Sequence, residues 1–235
     1  WAIDRVQVYH FPLFENDTTM IRRMPIGDYD SFEVLYDRIG LTGYAKDKKQ
    51  VYYEDTVLTD VDVASFKCVS YDIGQDCHRV YAKGRPTEVR DFTALREVGV
   101  LYVDEEHVYT REMQQVPGAD PKTLHSIYEC WMADANHVYW HGQPLPYVDV
   151  KTFETIPHNN YSNGLFYESS PNYNYAKDAT HVYFRDSIIV GADPKTFAII
   201  ASSDSIHEWV VLDKYRIYRG GECSTVNQWR KEHSY

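Results

Sequence analysis

The chain has 235 residues, of which 43% are apolar and 25% are charged, as in an ordinary soluble globular protein of one or two domains. Its net charge is −11 at pH 7 and it has no lysine or arginine run, which argues against a nucleic-acid-binding surface. No window approaches the roughly 18 apolar residues that a membrane-spanning helix needs. The 21 tyrosines outnumber the 9 phenylalanines, and tyrosine suits half-buried strands and binding surfaces.

A short motif recurs seven times along the chain: aspartate, three residues, valine or isoleucine, then tyrosine. Its copies are Asp4–Tyr9, Asp47–Tyr52, Asp76–Tyr81, Asp104–Tyr109, Asp134–Tyr139, Asp178–Tyr183 and Asp213–Tyr218. Apolar residues precede the aspartate, and β-branched and aromatic residues follow it. Because an aspartate side chain accepts hydrogen bonds from amides two or three residues on, the motif predicts a β-hairpin whose turn begins at the aspartate.

A second motif follows six of these copies: an acidic residue, two variable residues, a small or polar residue, and an apolar residue. Its copies are Asp28–Phe32, Asp62–Phe66, Glu88–Phe92, Asp120–Leu124, Asp149–Phe153 and Asp193–Phe197. Acidic residues, serine and threonine cap helix N-termini, and proline fits the first helical position. The segment is too short for a stable helix, so it predicts a single helical turn. One repeat is thus strand, tight turn, strand and helical turn.

The spacing of the first motif defines the domain organisation. Three successive intervals are 29, 28 and 30 residues, and longer intervals carry insertions near residues 10–25 and 157–172. We predict one repeat domain, 1–235. Its parts are an irregular first repeat (1–43), regular repeats (44–156), an insertion (157–172), repeats (173–219) and a C-terminal tail (220–235).

The predicted fold is all-β. A single hairpin cannot bury its apolar face, so about seven hairpins stack into an extended twisted or solenoid-like meander. The valine and tyrosine of the first motif point to opposite faces of a strand. We expect one of them in the core and the other nearer solvent or a second layer.

The repeat resembles that of the DKNYY family. The matching segments are Asp47–Tyr53, Asp134–Tyr139 and Gly191–Phe197, and the resemblance extends from about Tyr44 to Tyr218. It implies a bacterial protein, often exported or envelope-associated, with no established catalytic residues. We therefore expect a periplasmic or envelope location with a leader removed, and a cytoplasmic location stays open as the alternative.

Three histidines occupy equivalent positions and suggest a metal row. His107, His137 and His181 each precede the valine of the first motif. Equivalent strands in a hairpin array lie roughly 9.5 Å apart, too far for a shared zinc ion, so stabilisation of the turn is the favoured role. No catalytic or phosphate-binding motif is present. We expect no metal, no cofactor and no enzymatic activity, although a site assembled from distant residues is a third option.

The four cysteines follow no zinc-binding spacing. Cys68 and Cys77 flank eight residues and are placed to meet across a hairpin as a disulfide. Free thiols in a reducing compartment fit the sequence equally well.

The leading functional hypothesis is a protein-binding module with a basic partner, because extended repeats offer a broad surface and negative charge speeds capture of a basic protein. One form is an immunity protein that neutralises a secreted antibacterial toxin. The alternative is a carbohydrate or cell-wall binder, in which aromatic rings stack on sugars. The proposed contact residues, in the insertion and beside it, are Trp140 (expected to be exposed), Tyr161, Phe166, Tyr167 and Tyr173.

Overall fold

The computed structural model describes residues 2–3, 8–10, 22–36, 40–70, 72–156, 174–201, 209–219 and 221–224. These residues form 26 short strands and contain no α-helix. None of them belongs to a helix of the length and hydropathy needed to cross a membrane. The strands pair into seven antiparallel sheets that follow one another in chain order, which confirms the predicted all-β repeat fold.

The first unit of the chain contains three of these sheets. Sheet 1 comprises β1 (Ala2–Ile3), β2 (Val8–His10) and β3 (Arg22–Arg23). Sheet 2 comprises β4 (Glu33–Tyr36), β5 (Leu41–Lys46), β6 (Val51–Tyr53) and β7 (Thr56–Val57). Sheet 3 comprises β8 (Lys67–Ser70), β9 (Ile73–Gln75), β10 (Val80–Ala82) and β11 (Arg85–Pro86).

Four more sheets follow. Sheet 4 comprises β12 (Arg96–Val98), β13 (Leu101–Val103) and β14 (Val108–Tyr109). Sheet 5 comprises β15 (His125–Tyr128), β16 (Trp131–Ala133), β17 (Val138–Trp140) and β18 (Gln143–Pro144). Sheet 6 comprises β19 (Glu154–Thr155), β20 (Tyr175–Lys177), β21 (Val182–Phe184) and β22 (Ser187–Ile188). Sheet 7 comprises β23 (Ala198–Ala201), β24 (Trp209–Leu212), β25 (Ile217–Arg219) and β26 (Glu222–Ser224).

The predicted hairpin is the central strand pair of each sheet. In sheet 5, Ala133 pairs with Val138 on either side of the turn that begins at Asp134. A complete sheet adds one strand on each side of this pair, and the last strand is only two residues long in four of the five complete sheets. The repeat is therefore a four-stranded meander, two strands more than the sequence motif reveals.

The second motif forms the predicted single turn between sheets. The Phe197 amide donates to the Asp193 carbonyl at 3.0 Å, and among the described residues Tyr29–Ser31 and Phe92–Ala94 form 3-10 turns. One copy begins three residues later than the motif predicts. The turn expected at Glu88–Phe92 begins at Asp91, whose shorter side chain reaches the Thr93 amide and caps the turn.

The described chain forms two compact units, Trp1–Arg96 with Arg111–Gln114, and Glu97–Thr110 with Gln115–Tyr235. Within each unit, the valine face of one sheet packs on the tyrosine face of the next. In the second unit, for example, Val138 of sheet 5 shares a core with Tyr183 of sheet 6. Both residues of the first motif are thus buried: Val138 and Tyr139 are each 0% exposed. The residue expected to face either solvent or a second layer therefore faces a second layer, which is the neighbouring sheet.

Candidate functional site

The turn that opens each central hairpin is built around one carboxylate. In sheet 5, Asp134 Oδ1 accepts hydrogen bonds from the Asn136 and His137 amides, both at 2.7 Å. Its Oδ2 accepts from the Tyr139 hydroxyl at 2.6 Å and from the Asp120 amide at 2.9 Å. Since Asp120 lies in the segment arriving from sheet 4, one side chain joins a turn, a strand and the connection between two sheets.

A hydroxyl in the same connecting segment adds a second link. Thr123 Oγ1 donates to Asp120 Oδ2 at 2.7 Å and accepts from the Ala135 amide, next to Asp134, at 3.1 Å. We call this arrangement the clasp: the turn aspartate, its tyrosine, and the amide and hydroxyl of the connecting segment. It recurs at five connections, where the linked pairs of connecting residue and turn aspartate are Asp28/Asp47, Asp62/Asp76, Asp120/Asp134, Asp149/Asp178 and Asp193/Asp213.

The clasp aspartates are ionised at neutral pH. Burial acts to raise the pKa of Asp178, but hydrogen bonds from the Asp149, Thr180 and His181 amides and from the Tyr183 hydroxyl outweigh it and lower the pKa to about 2. The equivalent donors of the other four clasps lower the pKa of Asp47, Asp76, Asp134 and Asp213. A carboxylate that already accepts four hydrogen bonds has little capacity left for catalysis, so these residues are structural.

The pKa values of the clasp tyrosines are shifted upward, opposite to those of the aspartates. Burial, followed by the hydrogen bond to Asp213, raises the pKa of Tyr218 to about 12. The phenol therefore remains protonated and donates to the carboxylate, which stabilises the ionised aspartate.

The three equivalent histidines each contact the aspartate of their own turn. The Nδ1–Oδ1 distances are 3.8 Å for His107, 3.4 Å for His137 and 3.7 Å for His181. They belong to three different sheets. No group of three or more potential metal-ligating side chains occurs in the described part of the chain.

The opposite end of each sheet carries the irregular segments. In an antiparallel meander the aspartate turn lies at one end, and the turns joining the first to the second strand and the third to the fourth strand lie at the other. We call this other end the loop end. Glu154 pairs with Lys177, so residues 157–173 leave and re-enter sheet 6 at its loop end. Residues 11–21, between β2 and β3, do the same in sheet 1. Both predicted insertions therefore depart from the loop end.

Of the five predicted contact residues, only Trp140 lies within the described chain. It ends β17 at the loop end of sheet 5, and its ring centroid is 4.8 Å from that of Trp131 and 4.9 Å from that of His141. The expectation of an exposed ring is wrong: Trp140 is half-buried, because it packs beside the buried Trp131 in the core shared with sheet 6. Tyr161, Phe166, Tyr167 and Tyr173 lie outside the described residues.

In sheets 3 and 7, a glycine in the third-to-fourth-strand turn lies against an aromatic ring of the preceding sheet. An added Cβ at Gly84 would lie 2.6 Å from Tyr53, and one at Gly221 would lie 2.7 Å from Phe184. The Gly84 amide also donates to the Tyr44 hydroxyl at 3.0 Å. These two turns therefore pack over the aromatic residues at the loop end of the preceding sheet and seal it.

Sheet 6, which follows Trp140, has Arg185–Asp186 in this turn in place of a glycine, just as sheet 2 has Glu54–Asp55. Arg185 Nε donates to Asn174 Oδ1 at 3.1 Å, and its guanidinium lies over the Phe184 ring. The loop end of sheet 5 thus carries the Trp140 ring, whereas the loop end of sheet 6 carries the Arg185 guanidinium, held by Asn174, and the two ends of the insertion. Sequence reasoning missed Arg185 and Asn174, although the absent glycine was a visible signal.

The structure places none of the four cysteines in a disulfide. Cys68 lies opposite Gly74 in the sheet register, whereas Cys77 lies three residues beyond Gly74, where its amide donates to Ser65 Oγ. The anticipated Cys68–Cys77 disulfide is absent from this structure, because the register of the strand pair does not bring the two cysteines opposite each other.

Sheet stacking held by a repeated clasp defines a tandem β-repeat protein. The sequence model of the DKNYY family matches residues 4–85 and 23–170, which together cover most of the chain. The protein therefore belongs to the DKNYY family, as its repeat indicated. No curated protein and no solved structure matches the chain significantly.

Proposed function

We propose that this DKNYY protein is a non-enzymatic protein-binding module of the bacterial envelope that recognises its partner through the loop end of its sheets. The observation that carries the proposal is that each insertion departs from the loop end of its own sheet. Irregular segments carried by a framework of regular structure are a common arrangement in binding proteins. The contact surface is Trp140 together with Tyr161, Phe166, Tyr167 and Tyr173.

The hydrogen bonds of the repeated residues support a non-catalytic role. The aspartates and tyrosines that recur most often accept or donate hydrogen bonds within the clasps. The same observation weakens the carbohydrate alternative, because most of the motif tyrosines are buried and unavailable to stack on a sugar. What stays available for recognition is the loop end.

The charge favours a basic protein partner. The net charge is −11, and complementary charge raises association rates and makes them sensitive to salt. An immunity protein that binds and neutralises a secreted antibacterial toxin is a specific form of this function, and it fits the envelope location implied by the family.

The first experiment is capture with the full chain at low and at high salt, followed by mass spectrometry and calorimetric titration of the purified partner. We expect a basic protein whose affinity falls as salt rises. A combined Trp140→Ala and Tyr167→Ala variant should weaken binding by at least about tenfold, as expected on removing two aromatic anchors. Toxin neutralisation would then be measured as growth rescue.

The matched control is Tyr215→Ala. Tyr215 is 69% exposed and lies in the aspartate turn of sheet 7, at the end opposite the loop end. It should leave binding unchanged. Equal loss of binding in the control and the loop-end variant would contradict the assignment of the surface. Saturable binding of a cell-wall glycan, without a protein partner, would instead establish the carbohydrate alternative.

A further inference from the structure

One exposed tyrosine occupies a backbone position that the repeat otherwise gives to residues suited to it. In four of the five clasped connecting segments, the residue two positions before the connecting aspartate has a left-handed backbone. These residues are Asp60 (φ +55°), Gly118 (φ +76°), Tyr147 (φ +54°) and Gly191 (φ +79°). Glycine adopts this conformation freely and aspartate tolerates it, but a bulky side chain makes it strained. Tyr147 is therefore the outlier among equivalent residues.

The Tyr147 ring gains no packing in return for this strain. It is 86% exposed, and within the described chain no ring or cation stacks on it. Tyr215 is also an exposed tyrosine, but its backbone is not left-handed and the Lys214 ammonium lies 4.6 Å from its ring centroid. Strain that nothing inside the fold repays is characteristic of residues with a functional contact. The use of the Tyr147 ring therefore lies outside the chain.

Tyr147 lies at the end of the sheets that carries the aspartate turns, opposite to the loop end. The Leu145 amide donates to the Val138 carbonyl at 2.8 Å, which places the chain after β18 beside the aspartate turn of sheet 5. Two residues beyond Tyr147, the Asp149 amide donates to Asp178 Oδ2 in the aspartate turn of sheet 6 at 2.9 Å. The exposed ring thus stands at the junction between sheets 5 and 6.

Val190 adds exposed apolar surface at the next junction. It is 88% exposed and directly precedes Gly191, which is the equivalent of Tyr147 in the segment between sheets 6 and 7. Both residues belong to the second unit. Because stacked sheets lie about 10 Å apart, the two junctions are close enough for one partner to contact both.

We propose that Tyr147 anchors a lysine or arginine side chain of a basic protein, with Val190 as a neighbouring apolar contact. The net charge of −11 favours a basic partner, and the face of a tyrosine ring attracts a cation. Lys214 makes this contact to Tyr215 within the chain, whereas at Tyr147 the cation comes from the partner. This second surface lies opposite the loop end, so the inference does not depend on the proposed function.

Tyr147→Gly in the full chain separates binding from folding. Glycine removes both the ring and the backbone strain, so we expect the urea midpoint to rise and the unfolding equilibrium constant to fall about two- to fivefold. The matched control is Tyr215→Gly, at an exposed tyrosine without a left-handed backbone. It should not raise the midpoint, because glycine there only adds freedom to the unfolded chain. A lower midpoint for Tyr147→Gly would show that the ring stabilises the fold and would overturn the proposal.

Binding is measured with a blocked tetra-arginine peptide, titrated into the full chain while the Val190 methyl resonances are followed by NMR. Tyr147→Gly should weaken binding about two- to fivefold, the factor expected for one exposed cation–π contact. Tyr147→Phe keeps the ring and should bind as the parent chain does, and so should the Tyr215→Gly control. Equal affinity of the parent chain and Tyr147→Gly would refute the anchor.

A last comparison separates this surface from the loop end. The combined Trp140→Ala and Tyr167→Ala variant should give the same Val190 methyl titration as the parent chain, since its changes lie away from the surface formed by Tyr147 and Val190. A blocked tetra-glutamate peptide should not shift the Val190 methyl resonances. Saturable binding of tetra-glutamate at this position would contradict recognition of a basic partner.

Discussion

At the scale of single residues, the clasp accounts for five of the 21 tyrosines. Each clasp tyrosine buries a ring against the preceding sheet and also donates a hydrogen bond to a buried carboxylate. Phenylalanine fulfils only the first requirement. Aspartate is suited to its own position because its two oxygens serve different partners: in Asp134, Oδ1 closes the turn and Oδ2 binds Tyr139 and the connecting segment.

Tyr139→Phe tests this division of roles. The ring is fully buried, so the substitution keeps the packing and leaves Asp134 with one donor fewer. We expect a loss of about 1.5–3 kcal/mol in the free energy of unfolding, the usual value for a hydrogen bond to a charged group. Urea unfolding followed by tryptophan fluorescence measures it. Tyr215→Phe, on an exposed ring, is the control and should change nothing; similar effects of both substitutions would contradict the role of the phenol.

At the scale of elements, the turn glycines allow close approach between stacked sheets. Gly84 has φ +73° and Gly118 has φ +76°, so both occupy the left-handed region that disfavours side chains. Their surroundings differ, because a Cβ at Gly84 would lie 2.6 Å from Tyr53 whereas one at Gly118 has nothing within 4 Å.

This pair separates crowding from backbone strain. Both alanine substitutions incur strain, but Gly84→Ala must also displace Tyr53. We expect it to cost at least about 1 kcal/mol more than Gly118→Ala, as overpacking of a tight contact usually does. Thermal unfolding of the two variants measures the difference. Equal melting temperatures would show that the seal over Tyr53 is not tightly packed.

The elements also show which parts of the fold the sequence predicts. The central hairpins were predictable because aspartate, valine and tyrosine recur at fixed positions, each with a local physical reason. Strands such as Gln143–Pro144 were not, since two residues carry no periodicity and their pairing depends on the neighbouring strand. The half-burial of Trp140 was equally hidden, because sheet 6, which packs on it, is distant in sequence and its insertion breaks the repeat.

At the scale of the whole molecule, charge and stability are linked through the clasps. Five buried aspartates contribute to the net charge of −11, yet each is matched by hydrogen-bond donors inside its own junction. A mutation that removes one donor acts on one junction, whereas a change of pH acts on all five together. Acid is therefore the condition to which the repeat as a whole is most sensitive.

The direction of this pH dependence follows from the lowered pKa values. A carboxyl group whose pKa is lower in the folded state stabilises the fold above its unfolded pKa, near 4, and loses that contribution as pH falls through the folded pKa, about 2 for Asp178. We expect the urea midpoint to fall as pH drops below about 4, because the pKa of each of the five clasp aspartates is lowered in the folded state. Asp134→Asn should be less stable at pH 7 and depend less on pH in this window, since one titrating clasp is gone. A variant with the full acid dependence of the parent chain would show that carboxylates outside the clasps govern acid unfolding.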